Sequence, residues 1–511
     1  MPPSTGRLAG RVAAGIVVAR ILGFVRERFF AHYFGNGPAA DAFRAALRIP
    51  NAIRNLLGEG TLAASFIPVY ATLLQREGQE ASRRLAGVVA SLLILLTAAA
   101  ALVGMVLAPV ITDVVAPGFS GGTRDLTVTL VEILFPMSGV MILSAWCLGV
   151  LNTHGRFFLS YAAPAMWNIA QIATLVALGS ALAGNRLVIA LAWGALAGSV
   201  LQLAVQLPTT LRLVKGVYWS MSLAVPGVRT VMVAWLPVVV GAGVAQISSI
   251  VDTQLASLLG GGAVAALGYT QLLSMLPLSL FGVSIAAAAL PDLSRDAAGE
   301  AVDRLRQRLG DGIRRLAFFV VPAAFALAAL GEPIVAAIFQ TGKFGPEDTA
   351  LVTGILAAYA IGIPAQASVK LLASGFYAQG DTRTPVKIAA LSVAVAAGAA
   401  FGLMQWLGPA GIALGSSAGA YLNMGLNYRG LVRRVGRPLA PSEIPSLWIS
   451  ILGAALGTLA GVATAQAGWG PWPTTIAALS AFLVAYQAVG LILRHPDAVG
   501  LWRLVTRHTK P

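Results

Sequence analysis

Long apolar stretches separated by short polar loops dominate the pattern of this chain. Fourteen of them reach the length of about 20 residues that a helix needs to cross a bilayer, and we number them spans 1 to 14. The pattern lacks the period-two alternation of membrane barrel strands, so it predicts an all-α polytopic membrane protein. The spans cover residues 8–35, 38–75, 83–116, 124–151, 158–182, 186–214, 227–260, 264–292, 312–340, 347–379, 384–407, 410–434, 443–467 and 473–494.

Composition supports this class and excludes several kinds of chemistry. Only 11% of the 511 residues are charged and 57% are hydrophobic, whereas soluble domains carry about 25% charged residues. The single Cys147 rules out an intrachain disulfide or a cysteine-based metal cluster. The chain has no phosphate-binding loop, no HExxH motif and no pair of acids at catalytic spacing. We therefore expect no metal, no cofactor and no enzymatic activity such as ATP hydrolysis.

Basic residues in the loops predict the orientation. Loops on one side of the spans carry 25 lysines and arginines, whereas those on the other side carry only Arg124, Arg186 and Lys343. Because cytoplasmic loops are rich in basic residues, both termini are expected in the cytoplasm. The formal net charge of +15 is then explained by contact with anionic membrane lipids, and nucleic-acid binding is not predicted.

The chain also resembles itself at an offset of about 225 residues, which equals six spans. One matching pair is "LNTHGRFFLSYAAP" (151–164) and "YAQGDTRTPVKIA" (377–389). An even number of spans per repeat keeps the orientation, so the repeats are parallel. We predict an N-lobe at 1–220, a C-lobe at 221–437, and a final part at 438–511 with spans 13 and 14 and a basic cytoplasmic tail.

Spans 1 and 2 contain an unusual number of charges. A charge at the bilayer centre costs between roughly 2.5 and 17 kcal/mol, so a chain that carries several there needs a water-filled cavity, an anionic ligand, or both. From the charged residues of these two spans we single out six arginines and two acids, namely Arg20, Arg26, Arg28, Arg44, Arg48 and Arg54, with Asp41 and Glu59.

Helical geometry arranges part of this set into a stripe. Five polar residues of span 2 fall within about 60° of one another on an ideal helix. Arg54 points away from them, and Arg20 and Arg26 lie about 120° apart on span 1. We therefore expect bent helices, with Gly23 bending span 1 and Pro50 bending span 2. The stripe consists of Asp41, Arg44, Arg48, Asn55 and Glu59.

Arginine indicates the kind of ligand. A guanidinium stays charged when buried, and its planar fork matches phosphate oxygens. Several converging arginines therefore favour a diphosphate over an organic cation. Asp41 and Glu59 are expected to hold the arginines in place or to pair with them when no ligand is bound. The alternative is a set of internal salt bridges that only stiffens the lobe.

Two further charges lie in the predicted C-lobe. Asp252 in span 7 is a candidate cation or proton site, or a member of a structural network. Lys370 in span 10 is a candidate contact for an anionic substrate, or a partner of Asp252.

Several segments resemble the MurJ/MviN family, bacterial lipid II flippases of the MOP exporter superfamily. The longest is "ARILGFVRERFFAHYFGNGPAADAFRAALRIPNAIRNLLGEGTLAASFIPVY" (19–70). Shorter ones are "APGF" (116–119), "LNTHGRFFLSYAAPAMWNI" (151–169), "FQTGKF" (339–344) and "VKLLASGFYAQGDTRTPVKIA" (369–389).

The resemblance implies a function in peptidoglycan biosynthesis, and thus in cell-wall assembly and cell shape. The expected substrate is lipid II, an undecaprenyl diphosphate that bears the peptidoglycan precursor. The family moves it from the inner to the outer leaflet of the bacterial inner membrane by alternating access between the lobes. The resemblance implies a monomer, with spans 13 and 14 lining a groove for the lipid tail. Its substrate-binding positions match Arg20, Arg26, Arg54, Asp41, Glu59 and Lys370 here.

The chain departs from the family pattern at several positions. In "YTQLLSMLP" (269–277), Leu272 occupies the place of a further arginine, and Arg44 is an additional arginine that is a candidate to compensate for it. Asp252 matches the acid of a sodium site that some members use, but span 11 offers no carboxylate or asparagine. The coupling ion and the driving force are therefore left open.

Other functions stay as alternatives. One is a MOP-type exporter of another polyprenyl-linked glycan, and a drug exporter is disfavoured because its cavity should carry acids. A second is an inactive, transporter-like scaffold, which should have lost the arginines of spans 1 and 2. An integral-membrane enzyme on polyprenyl phosphates would need clustered carboxylates for Mg²⁺, whereas the loop at 295–311 carries arginines with scattered acids.

Overall fold

The computed structural model describes residues 5–216, 218–299 and 301–508. Within these ranges it describes all side chains except those of residues 5–14, 16, 59, 240, 241, 244, 245, 504, 505, 507 and 508.

The described chain is helical nearly throughout. Two compact units are present, the first containing the residues up to Ala265 together with Thr341–Phe344, and the second containing the rest. The first unit contains α1 (Thr5–Phe34), α2 (Pro38–Ala46), α3 (Arg48–Leu57), α4 (Glu59–Arg76), α5 (Gly78–Val106), α6 (Ala108–Val115), α7 (Gly121–Thr153), α8 (Phe157–Ala162), α9 (Pro164–Leu178), α10 (Gly184–Val214), α11 (Val228–Leu259) and the first turn of α12 (Ala263–Pro277).

The second unit continues α12 through a π-helical segment (Leu278–Val283) into the next helix. A single 3-10 turn (Pro441–Glu443) precedes its last three helices. The remaining helices are α13 (Ser284–Ala298), α14 (Val302–Ala329), α15 (Gly331–Phe339), α16 (Pro346–Ala378), α17 (Arg383–Leu407), α18 (Pro409–Val435), α19 (Ile444–Ala465), α20 (Pro471–Ile492) and α21 (Pro496–His508).

The predicted all-α, multi-pass membrane class is confirmed. Each of the fourteen predicted spans falls on one helix or on a run of consecutive helices. Within the described residues, eleven helical segments are long and apolar enough to cross a membrane, so the number fourteen stays a prediction. The predicted lobe boundaries at residues 220 and 437 also stay a prediction. They were drawn from a sequence repeat, whereas the two units are defined by how compactly the chain packs. Helix α21 lies beyond the predicted spans.

The core of the first unit forms where α4, α5 and α7 meet. Phe66, Tyr70 and Leu85 are fully buried there, and Val228 at the start of α11 joins the same apolar cluster. A Cβ atom on Gly104 of α5 would lie 2.0 Å from the ring of Phe135 on α7. Only glycine lets these two helices approach so closely, which is the usual way in which membrane helices pack.

Small residues also hold together the helices of the second unit. A Cβ atom on Gly415 of α18 would lie 2.4 Å from the backbone of Ala400 on α17. Helices α19 and α20 pack in the same manner, because Gly453 faces the ring of Tyr486 and Gly457 faces Phe482. The Tyr486 hydroxyl donates a hydrogen bond to the carbonyl of Phe318 on α14, at 2.6 Å. Spans 13 and 14 are thus attached to the second unit by α14.

Candidate functional site

Span 2 is broken into three helices, and this determines where its charges point. Helix α2 ends at Ala46, Leu47 forms the junction to α3, and Gly58 forms the junction to α4. Pro50 lies in the first turn of α3, where a missing backbone N–H loses no helical hydrogen bond. The break before Pro50 agrees with the bend expected there, because Pro50 cannot bond the carbonyl of Ala46. The stripe was placed on one ideal helix, and in the structure its residues are divided between α2, α3 and α4. Helix α1 is continuous, and the expected bend at Gly23 stays a prediction.

The centre of the candidate site is a carboxylate between two arginines. Glu27 on α1 is only 4% exposed, and it accepts hydrogen bonds from Arg26 and from Arg44 on α2. A second contact joins Arg44 Nη1 to Glu27 Oε1 at 3.4 Å. The arrangement therefore brings together two of the predicted arginines around an acid that was not predicted.

Aromatic rings hold both guanidiniums in place. The guanidinium of Arg26 lies 4.5 Å from the ring centre of Trp167 on α9, and that of Arg44 lies 4.8 Å from the ring centre of Phe30. A cation over an aromatic face is stabilised most where water is excluded. The two arginine side chains are 17% and 18% exposed. The three charges sum to +1, so we name this group, Arg26, Glu27 and Arg44, the guanidinium cluster.

A signal for Glu27 was present in the sequence. It lies between Arg26 and Arg28 inside an apolar span, and a carboxylate at that depth needs a cationic partner. Geometry alone could not identify Arg44 as the second partner, because the angle between α1 and α2 depends on the turn at Gly35–Gly37.

Arg48 of α3 reaches α11 instead of the guanidinium cluster. Its Nε donates to Thr253 Oγ1 at 2.5 Å and its Nη1 donates to Ser249 Oγ at 2.7 Å. One residue before Thr253, Asp252 is buried at 9% exposure. A second polar contact between these helices joins Asn55 Nδ2 to Gln246 Oε1 at 3.4 Å. The polar face of α3 is thus paired with hydroxyls and amides of predicted span 7.

Asp41 has a different role from the one expected. It is 4% exposed, and its carboxylate accepts hydrogen bonds from the backbone N–H groups of Gly262, at 3.1 Å, and Ala265, at 2.8 Å. Gly262 immediately precedes α12 and Ala265 lies in its first turn, where the backbone N–H groups have no partner within the helix. The negative charge also suits the positive end of the helix dipole. Among the contacts that the structure gives Asp41, none is with an arginine.

The other predicted site residues lie as follows. Arg54 donates from Nη1 to Met141 Sδ at 3.5 Å, and Arg20 is exposed on α1. Glu59 begins α4, but its side chain lies outside the described residues. In the second unit, Lys370 is exposed on α16 and Leu272 is half-buried on α12.

A loop of the second half of the chain contacts the end of α1. The backbone N–H of Lys343 donates to the carbonyl of His32 at 2.8 Å, and His32 Nδ1 lies 2.9 Å from Thr341 Oγ1. Gly342 has a positive φ of 57°, and a Cβ atom there would lie 2.3 Å from the His32 carbonyl. His32 is thus used in packing, and no group of three potential metal ligands occurs among the described residues.

Outside the spans, the loop before α17 is fixed by one acid. Asp381 accepts hydrogen bonds from the Thr384 hydroxyl at 2.6 Å, from the Thr384 N–H at 2.9 Å and from Arg434 at 2.6 Å. These contacts, with the Thr384 hydroxyl first among them, hold the pKa of Asp381 well below its usual range.

Together, these features define a multi-pass helical membrane protein whose first unit contains a cluster of guanidiniums with net positive charge. The family model described as lipid II flippase MurJ matches residues 30–471. A probable lipid II flippase MurJ of Rhizobium meliloti is 34% identical over 83% of this chain and 80% of the relative. A lipid II flippase MurJ of Burkholderia cenocepacia is 34% identical over 88% of both chains.

A solved structure gives the same fold. The lipid II flippase MurJ in an inward closed conformation superimposes with a TM-score of 0.80 and 23% identity, covering 94% of this chain and 98% of that one. The chain belongs to the lipid II flippase MurJ family.

Proposed function

We propose that this chain is a transporter that moves lipid II from the inner to the outer leaflet of the bacterial inner membrane. The observation that carries the proposal is the guanidinium cluster, in a chain of this family. Three charges that sum to +1 lie on two membrane helices, where an unmatched charge is costly. A diphosphate is the ligand whose charge and oxygen geometry such a cluster suits.

We assign the diphosphate to the first unit. Arg26 and Arg44 keep one positive charge beyond what Glu27 neutralises, and a second anion can therefore be attracted to them. Arg20, Arg48 and Arg54 are proposed to contact the rest of the headgroup. Lys370, which lies in the second unit, stays a candidate contact for an anionic substrate. Asp41 and Glu59 act indirectly in this proposal, Asp41 by holding the first turn of α12.

The polyprenyl tail stays in lipid, beside α19 and α20. Small residues on these helices, such as Gly453 and Gly457, let them pack tightly as a pair. The transporter alternates between an inward-open and an outward-open form, with both termini in the cytoplasm. It acts as a monomer and needs no resident cofactor.

The membrane potential can help this movement. A potential of 100 mV is worth about 2.3 kcal/mol for each elementary charge moved. Because the headgroup is anionic, an inside-negative potential favours outward transport. Asp252 is the proposed site for a coupling cation or proton, if one is used.

Complementation of a strain depleted of its own lipid II flippase tests the proposal. The chain is compared with Arg20→Ala, Arg26→Ala, Arg44→Ala and Arg54→Ala, after membrane expression of each has been verified. Arg84→Ala is the matched control, because Arg84 is exposed, forms a surface ion pair with Glu80 and lies over the ring of Tyr218, away from the guanidinium cluster.

We expect growth with the wild type and with Arg84→Ala, and loss of growth with the arginine variants of α1 to α3. Growth with all four variants would refute the role of these arginines and leave the function intact. Failure of a well-expressed wild type would instead favour another polyprenyl-linked cargo, and Leu272→Arg would then be the next variant to test.

A further inference from the structure

An apolar groove lies on the surface of the first unit at the start of α11. Its volume is about 430 Å³, within the range of roughly 300–1,000 Å³ that ligand pockets occupy. Arg229 is the one charged residue of its lining, and the other residues are Leu223, Met232, Val233, Leu236 and Pro237. The groove lies apart from the guanidinium cluster in sequence and uses none of its residues.

The segment that leads into the groove has two distinct faces. On the inner face, a Cβ atom on Gly87 of α5 would lie 2.2 Å from the Tyr218 carbonyl. Val228 and Val231 are 0% and 5% exposed within the core of the unit. This contact fixes the segment firmly, so the residues on its outer face are held in a defined position.

The outer face is apolar although it does not belong to the core. Trp219 is 67% exposed, Leu223 is 56% exposed, and Val233 of α11 is 67% exposed. Trp219 lies in the segment that joins α10 to α11, and tryptophan is enriched at the boundary between lipid and water. This face therefore lies where acyl chains meet headgroups, and its natural occupant is a lipid and not water.

The charge around the groove selects the headgroup. Arg229 is the second residue of α11 and is exposed, as are Arg212 and Lys215 at the end of α10. The sequence contains no aspartate or glutamate between Glu132 and Asp252, and Glu80 of the adjacent α5 is paired with Arg83 and Arg84. A basic group near the membrane surface is worth about 1 kcal/mol in attraction for anionic lipid.

We propose that this groove binds an anionic phospholipid, with its phosphate on Arg229 and an acyl chain against Leu223, Met232, Val233 and Leu236. The proposal is independent of the transported substrate, since none of these residues belongs to the proposed diphosphate site. Such a bound lipid would fix the start of α11, the helix that Arg48 contacts through Ser249 and Thr253.

Photo-crosslinking tests the proposal. The full chain is placed in phosphatidylcholine nanodiscs with a trace of phosphatidylglycerol that carries a diazirine on one acyl chain, and labelled peptides are mapped. A parallel sample contains phosphatidylcholine with the same diazirine chain. Arg229→Gln is compared with Arg383→Gln, because Arg383 is likewise an exposed arginine in the first turn of a membrane-spanning helix.

We expect the phosphatidylglycerol probe to label residues 218–236 more strongly than the phosphatidylcholine probe does. Arg229→Gln should lower this labelling about fivefold, the equivalent of one basic contact at the membrane surface, and Arg383→Gln should leave it unchanged. Val233→Asn, which makes the groove wall polar while keeping Arg229, should also lower it.

Two results would overturn the proposal. Equal labelling by both probes, unchanged by Arg229→Gln, would mean that this face is ordinary lipid-facing surface. Displacement of the probe by undecaprenyl diphosphate at lower concentration than by unlabelled phosphatidylglycerol would instead assign the groove to the transported lipid.

Discussion

Replacing Glu27 by glutamine is the sharpest perturbation that the guanidinium cluster offers. The amide has nearly the shape of the carboxylate but carries no charge. It removes the negative charge that Arg26 and Arg44 share and leaves the two guanidiniums facing an uncharged amide. Both arginines would still lie against Trp167 and Phe30, so their packing is retained and only the charge balance changes.

The size of the effect follows from burial. The Glu27 side chain is 5% exposed, and the arginine side chains are 17% and 18% exposed. Removing one partner of a buried ion pair costs about 3–5 kcal/mol, because the other charge stays without compensation. We therefore expect Glu27→Gln to lower the free energy of unfolding by about 3 kcal/mol. Glu80→Gln is the matched control, since Glu80 is 58% exposed and surface pairs are worth about 0–1 kcal/mol.

The assay is thermal unfolding of the purified protein in one detergent, followed by tryptophan fluorescence. Glu27→Gln, Arg44→Gln and the double variant form a double-mutant cycle. Arg44→Gln leaves the Arg26–Glu27 pair neutral, so it should cost less than Glu27→Gln. The double variant leaves one unmatched guanidinium instead of two, and it should recover at least about 1 kcal/mol relative to the sum of the single variants.

Two outcomes would refute this reasoning. If Glu27→Gln destabilises the protein no more than Glu80→Gln does, the carboxylate does not balance the two arginines. If the effects of Glu27→Gln and Arg44→Gln simply add, the two residues do not interact, and Arg44 would have no place in the proposed site.

Three further predictions concern the stability of the fold and can be measured by the same unfolding assay. Asp41→Ala should lower the free energy of unfolding by about 1–2 kcal/mol, because it removes the acceptor for the first turn of α12. The control is Asp113→Ala, which removes an exposed ion pair with Arg124 and should lower it by less than about 1 kcal/mol. Gly262→Ala should destabilise the protein more than Gly261→Ala does. Both glycines have positive φ, but only at Gly262 would a Cβ atom meet a neighbour, the Asn36 carbonyl oxygen at 1.9 Å. Equal destabilisation by the two variants would contradict this close contact. Because the pKa of Asp381 is lowered in the folded protein, its contribution is present above the unfolded-state pKa of about 3.9 and is lost as the pH falls further. Asp381→Asn should therefore reduce the loss of stability on acidification, and an unchanged pH profile would argue against the contacts with Thr384 and Arg434.

Hydropathy was sufficient to predict the helical class because each span must satisfy its backbone hydrogen bonds internally. It could not predict where a span breaks. Span 2 reads as one apolar stretch, yet it is interrupted at Leu47 and at Gly58. A proline cannot donate a hydrogen bond to the carbonyl four residues earlier, and for Pro50 that carbonyl belongs to Ala46, the last residue of α2. The junction at Leu47 therefore agrees with the bend expected at Pro50, whereas no proline accompanies the second junction at Gly58.

The difference between local and long-range information also explains the outcome for the charged residues. The sequence indicated that Arg26, Arg44 and Arg48 lie on membrane helices, because residue type and span position are local properties. Their partners are not local, since Arg44 finds Glu27 on α1, Arg48 finds α11, and Asp41 caps α12. The sequence shows which charged residues lie in a span, whereas their burial and pairing depend on helix contacts across up to about 220 residues of chain.

The pairing changes how Arg44 is interpreted. From the sequence it was one extra arginine and a candidate substitute for the missing arginine at Leu272. In the structure it shares Glu27 with Arg26, so its charge is partly used within the first unit. One carboxylate between two guanidiniums neutralises only half of their charge, and in the proposed function the remaining charge attracts the anionic headgroup. A protein with Arg26 and Glu27 alone would present a neutral pair, and Arg44 is therefore the residue that makes this cluster cationic.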